Sequence, residues 1–321
     1  MSTNKLALTN SRTKGIILVL TAAILWGISG TVAQFLFQRN SFSAEWLVVI
    51  RLLFSGIILL IFASLKEKKS ITDIWKDRKD VLSLLLFSIL GMLAVQYTYF
   101  AAIKSSNAAT ATILQYLAPV IITCYLAIRF KKVPTAKDVF AVVLALVGTF
   151  LLVTHGNMKG LSVTGWALFW GLSSAVALAF YSLQPQNLLK KYGSTIVVGW
   201  GMLIGGICFS FIHSPFKFQG YWSISAYFAV IFIVIFGTLI AFYCYLESLK
   251  YINASESSLL ACVEPLSAAV LSVIWLRVNF EILDWIGSLC IISTIVILSL
   301  ADHKKSSKKT NLSKESIKRQ V

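Results

Sequence analysis

Glu264 stands near the middle of an otherwise apolar run, residues 255–275, with Pro265 directly after it. An ionisable side chain at such a depth costs a few kcal/mol on insertion scales, which makes it a functional hypothesis by default. A carboxyl group there suits the binding of a proton or of a cationic substrate. The structural alternative is a carboxylate bonded to backbone that the proline frees. Ser257, Ala261 and Ala268 share its helical stripe, small residues that leave room for a cavity or a close neighbour. Arg51 is the other charge inside an apolar run, seven residues into 44–65 and so about 10 Å below one surface. It could hold a substrate carboxylate or pair with an acid such as Glu264, and the competing reading is a guanidinium that snorkels to the interface.

Uncharged polar and aromatic residues form stripes in the same kind of run. Gln96 and Tyr99 share one face, Thr112, Gln115 and Pro119 another, and Ser174, Ala177, Tyr181 and Gln184 a third. Such stripes fit a cavity lining on which an organic solute stacks; ordinary hydrogen bonding between helices is the alternative. Trp26, with Gly27 and Gly30, fits either a gating aromatic or close helix packing. Pro119 and Pro265 are hinge candidates, or static kinks. Gly201 and Gly205 form a GxxxG contact face. No Ser/His, paired-Asp or metal-ligand constellation occurs at a shared depth. The three histidines are isolated, and the five cysteines lie singly within apolar runs. An enzyme, a metal site and a cofactor are therefore not expected.

The elements that must position these residues are membrane spans. Apolar residues make up 57% of the chain and charged ones 13%, with a mean hydropathy of +0.79. A span takes about 20 mainly apolar residues. Ten runs qualify: 15–37, 44–65, 81–103, 108–130, 136–153, 165–184, 194–212, 222–249, 255–275 and 281–300. Lipid offers no partners for exposed backbone groups, so the spans must be helical, and no period-2 alternation supports a barrel. The expected fold is an all-α polytopic membrane protein. The first run, preceded by basic residues, has no clear cleavage site and is read as retained structure.

The net charge of +16 is explained by topology and calls for no nucleic-acid partner. With ten spans and both termini cytoplasmic, 23 of the 29 Lys and Arg fall inside and five outside, with Arg51 in a span. Anionic lipid headgroups gain a secondary attraction. The polar tails, 1–14 and 301–321, read as disordered.

The second half repeats the first. Residues 89–119 align without a gap on 235–265, with identities including Gly91/Gly237, Tyr97/Tyr243, Tyr99/Tyr245, Asn107/Asn253 and Pro119/Pro265. Asp138 falls on Asp284 at the same offset. Nearer the start of each half the register becomes 152, pairing Leu20, Ala23, Gln34 and Leu36 with Leu172, Ala175, Gln186 and Leu188. A repeat of five spans, 15–153 and then 165–300 after an external linker (154–164), enters the membrane from opposite sides. The two halves are then inverted repeats about an axis in the membrane plane.

With these residues the chain resembles the EamA-type members of the drug/metabolite transporter superfamily, which carry two such domains. The resemblance rests on Ala22 to Gly27, Arg51, Asn107-Ala108, Pro119, Leu188 to Gly193 and Glu264-Pro265, and covers 15–300. The acidic residue often found after the fourth span is replaced by Phe130-Lys131-Lys132-Val133; Glu281 occupies the comparable place in the second half. The resemblance implies a secondary transporter of a bacterial inner (cytoplasmic) membrane. It would export an amino acid or amphiphilic metabolite by alternating access. Trp26, Arg51, Gln96, Tyr99, Gln115, Tyr181, Gln184 and Glu264 would bind substrate, and Glu264 would couple to protons. A channel-like facilitator and a sensory or structural membrane protein are the alternatives. The expected partners are a small-molecule substrate and the bilayer; the sequence leaves the oligomeric state, a homodimer included, open.

Overall fold

The chain is described by a computed structural model over residues 2–66, 70–131, 133, 135–154, 163–249, 251–252, 257, 260–261, 263–294 and 296–297. All regular structure in these residues is helical. Among the described residues six helices are long and apolar enough to cross a membrane: α1 (Ser2–Arg39, apolar from Arg12), α2 (Ala44–Lys66), α3 (Arg78–Ser105), α4 (Ala108–Arg129), α6 (Gly165–Leu183) and α8 (Ile224–Ser248). Shorter apolar stretches lie in α5 (Ala136–Thr154), α7 (Ser194–Ser210), α9 (Val263–Ile274) and α10 (Ile282–Thr294). Large apolar side chains such as Phe54, Ile61, Phe140, Leu146 and Phe228 are exposed on the outside of the bundle, as lipid contact requires.

The helix starts are written locally. Asn107 opens α4 by accepting from Thr110 N at 2.8 Å, Thr164 opens α6 from Ala167 N, and Ser223 opens α8 from Ala226 N. Asp284 closes the start of α10 by accepting from Glu281 N at 2.9 Å. Asn253, the repeat mate of Asn107, lies outside the described residues, as do Lys250 and the tail from 298 onward.

The two halves interleave. Helix α1 packs on α8 and α9 of the second half, while α6 packs on α3 and α4 of the first. The glycines show the same reciprocal packing in detail. Gly91 of α3 faces the backbone of Tyr181 on α6, and its repeat mate Gly237 of α8 faces Ser29 on α1, the mate of Tyr181. Across the α2–α7 crossing, Gly56 lies against Leu203 and Gly206 against Leu53; both like pairs are 150 positions apart. Each half also carries a π-helical stretch at matching places, Phe87–Leu93 in α3 and Ile235–Ile240 in α8. Such single-turn widenings are rare and concentrate at functional sites.

The α2–α7 pair is tied at both ends. At one end Trp46 Nε1 donates to Pro215 O at 2.9 Å, and Asn40 Nδ2 donates to Tyr221 O and Ser223 Oγ. Phe42 and Trp46 close over them edge to face on Phe218 and Trp222, which stack on each other. Gly220 must be glycine there: its φ is +118°, and a Cβ would sit 2.6 Å from Asn40 O. At the other end Trp200 Nε1 donates to Ile71 O at 2.8 Å, while Lys191 and Tyr192 both donate to Asp80. The hydrogen bond to Asp80 holds Lys191 above the ordinary lysine value. A raised value means that this contribution is complete below the unfolded lysine's pKa and is lost only as pH rises through the raised one. The charged tie therefore persists through neutral pH, although its exposure leaves it open to screening by salt.

Candidate functional site

Both proline-bearing spans are broken just before their prolines. In α4 the helix pauses at Tyr116–Leu117 and resumes at Ala118. In the second half α9 starts at Val263, after a turn at Ala261. Pro265 has no N–H to give to Ala261 O four residues earlier. That carbonyl instead accepts from Glu264 N at 2.9 Å and from Tyr116 Oη of α4 at 2.9 Å. The same phenol oxygen lies 2.9 Å from Glu264 Oε2. Glu264 is thus half-buried where the breaks of α4 and α9 meet. On its other flank α1 comes very close: a Cβ on Gly27 would stand 2.7 Å from Glu264 O and 3.0 Å from Ala268 N.

Arg51 does not snorkel. It is 5% exposed, and its guanidinium turns inward to the π stretch of α8. Nε donates to Thr238 Oγ1 at 2.6 Å and Nη2 to Gly237 O at 3.2 Å, with Phe100 under the cation at 5.1 Å. The reason is local. Ala241 N bonds Phe236 O and Thr238 O, so it skips the Gly237 carbonyl that it would take in a regular α-helix. Arg51 supplies the missing donor. The 150-residue register of the α2–α7 crossing puts Gly201 in the corresponding place, and there the ring of Phe87 fills the room beside the π stretch of α3. Arg51→Met would leave Gly237 O without its donor, at a cost of about 1–3 kcal/mol, partly offset by removal of a buried charge. The expected mark is local: faster deuterium exchange at amides 235–241, with the rest of the protein little changed.

The other expected residues divide. Trp26 lies against Phe242 and Tyr245 of α8, with ring centroids 5.3 and 5.4 Å away. Tyr99 is buried and shares a 2.7 Å hydrogen bond with Thr112, joining α3 to α4. Gln96 and Gln115 are buried on the same two helices. Arg51 and Tyr99 are both buried, on α2 and α3. Tyr181 is set apart, against Phe87 at the π stretch of α3. Gln184 is committed to α3, its Nε2 donating to Ser83 O and Ser83 Oγ at 2.9 Å. Pro119 and Pro265 follow the two breaks. An apolar groove of about 500 Å³ between α3 and α6 is lined by Leu90, Thr98, Phe169 and Phe180 but not by Glu264. Leu90 and Phe169 are exposed, so the groove belongs to the lipid-facing side.

Two residues of the site were not expected from sequence, Tyr116 and Thr238. Tyr116 is the mate of Cys262 and so escapes the list of repeat identities. Its place three residues before Pro119, where a helix is apt to pause, is the available signal. Thr238 carries no sequence signal for its bond to Arg51. Among the described residues no cluster of three metal-ligating side chains occurs.

In this multi-pass helical membrane protein the two halves interleave around a half-buried acid, and each half carries a π stretch at the matching place. The chain is a member of the EamA-like transporter family, whose model matches residues 13–154 and again 165–300. It is thus a membrane transporter. It is 42% identical over 296 residues to the uncharacterized inner membrane transporter YicL of Salmonella typhimurium, covering 92% of this chain and 98% of that protein. An uncharacterized transporter of Archaeoglobus fulgidus is 22% identical over 87% of this chain and 94% of its own. One solved crystal structure shares the fold with a TM-score of 0.61 at 19% identity, covering 91% of this chain and 98% of that one.

Proposed function

We propose that the protein is a secondary transporter of the cytoplasmic membrane that moves a small organic metabolite, an amino acid or amphiphile, by alternating access. In this reading ten spans form two inverted five-helix repeats with both termini in the cytoplasm. The observation that carries it is the meeting of Glu264 with the paired breaks of α4 and α9, next to the aromatic wall of Trp26, Phe242 and Tyr245. Broken spans at the junction of two repeats expose backbone groups and a polar side chain where a solute can be held. The α2–α7 pair, tied at both ends, serves as the fixed hub. The remaining helices rock about it, exposing the Glu264 region first to one side and then to the other. Glu264 carries the coupling proton, Trp26 and Tyr99 contact the solute, and transport runs outward.

Counterflow in proteoliposomes tests this. Vesicles loaded with unlabelled amino acids, amines or sugars are given a trace of the labelled compound outside. Saturable, transient accumulation of one tracer is expected. Flux that never saturates would make the protein a channel-like facilitator. No flux with any of these pools, from protein shown to be folded and inserted, would count against an amino-acid-like substrate.

A further inference from the structure

Arg51 supplies the donor that the π stretch of α8 lacks, but it brings a full positive charge with it. Arginine stays cationic in proteins, and a charge held inside a membrane protein is ordinarily paired. The partners of Arg51 are neutral: Thr238 Oγ1, Gly237 O and the ring of Phe100. Among the described residues no carboxylate stands within ion-pairing distance of the guanidinium. The ion pairs there join Lys76 and Lys191 to Asp73, Asp77 and Asp80, at the opposite end of α2.

Polar side chains from three helices come to the same place. Ser55 follows Arg51 by one helical turn on the same face of α2 and is fully buried. Ser29 of α1 is 2% exposed and lies against Gly237, the residue whose carbonyl Arg51 takes. Neither serine hydroxyl has a hydrogen-bond partner among the described residues, and both are closed to solvent. Gln96, 8% exposed, stands one turn before Phe100 on the same face of α3. Counted from the helix ends Arg39, Ala44 and Ser105, which lie on one side, Ser29, Ser55 and Gln96 share a level about 15 Å down. That level is one turn deeper than Arg51.

We propose that Arg51, Ser29, Ser55 and Gln96 form a binding site for a small monovalent inorganic anion of the chloride type. The anion neutralises the guanidinium and accepts from the two serine hydroxyls and the glutamine amide. A buried donor without an acceptor costs about 1–3 kcal/mol, so the hydroxyls favour an occupant that accepts. The enclosure of both hydroxyls selects a single spherical ion over an organic acid, whose carbon skeleton needs room. The Nε–Nη2 edge, on which a carboxylate docks with two parallel bonds, is already taken by α8. With the anion in place, the contact of α2 with the π stretch of α8 carries no net charge. The site is independent of the proton at Glu264 and of the transported solute.

The test uses the full chain in detergent, melted in sodium gluconate with chloride or acetate replacing gluconate at constant ionic strength. In the parent, chloride should raise the thermal midpoint saturably, by about 2–4 °C at ten times its dissociation constant. In Arg51→Gln, which keeps an N–H for Gly237 O but no charge, that response should vanish. With Arg51 intact and both serines changed, Ser29→Ala and Ser55→Ala, half-saturation should need about tenfold more chloride. A parent without a saturable chloride response would overturn the proposal. So would an equal response in Arg51→Gln, which would be a general effect of salt. Acetate acting where chloride does not would overturn the choice of ion and turn the site over to the carboxylate of a solute. If Arg51→Gln does not fold, the serine pair decides: unchanged half-saturation would overturn the site.

Discussion

Glu264→Gln is expected to abolish flux driven by a pH gradient while leaving tracer exchange without a gradient. Glutamine keeps the size of the side chain and its capacity to hydrogen-bond Tyr116, so the junction of α4 and α9 stays assembled. What it cannot do is release and regain a proton. A carrier whose coupling carboxyl has been made permanently neutral can still cycle with substrate on both sides, but it cannot draw on a proton gradient through that group. Driven accumulation should therefore fall to the level of vesicles without a gradient, while exchange at equal concentrations keeps the same order of rate. Unchanged driven accumulation would remove Glu264 from coupling. Loss of both fluxes in a folded variant would make it a binding residue only.

Gly27→Val should have the largest structural effect. A Cβ at residue 27 would lie 2.7 Å from the carbonyl oxygen of Glu264 and 3.0 Å from Ala268 N, and would overlap Ser267 Oγ. Ser267 can rotate away from its bond to Glu264 O, but the backbone of α9 cannot without separating from α1. Overfilling of a packed contact costs about 1–3 kcal/mol, and here it displaces the segment that carries the acid. The thermal midpoint in detergent should fall by several degrees, with tracer exchange lost as well. Gly27→Ala, which adds the Cβ alone, should show an intermediate loss. A valine variant with parental stability and exchange would mean that α1 and α9 do not need this approach.

Much of this architecture is legible in the chain because it is written in local patterns. The apolar runs mark the helices, and the 146-residue register of Gly91/Gly237 and Pro119/Pro265 marks the repeat. Asn107 announces its own cap. Glu264 beside Pro265 marks the site, since an acid in an apolar span is conspicuous without any neighbour. What the sequence hides is what arises only when distant segments meet. The π stretches have no signature of their own: Gly91 and Gly237 show room for a close neighbour, but not that the turn widens. Arg51 reads as a substrate ligand or a snorkelling side chain until the skipped Gly237 carbonyl is seen. Tyr116 reads as one more aromatic of α4, because its partner stands 148 residues away. Gln184 shares a stripe with Tyr181, yet its amide nitrogen is already taken by Ser83.

The central claim is that the Glu264 region opens to each side of the membrane in turn. Two-sided labelling tests it most directly. In a background with the five native cysteines replaced, Ala261→Cys places one thiol a helical turn from Glu264. A membrane-impermeant maleimide is then applied separately to right-side-out and inside-out vesicles. Alternating access predicts labelling from both sides, with each rate reduced when substrate or a pH gradient biases the carrier toward the other. Labelling from one side only, unmoved by any gradient, would contradict the account.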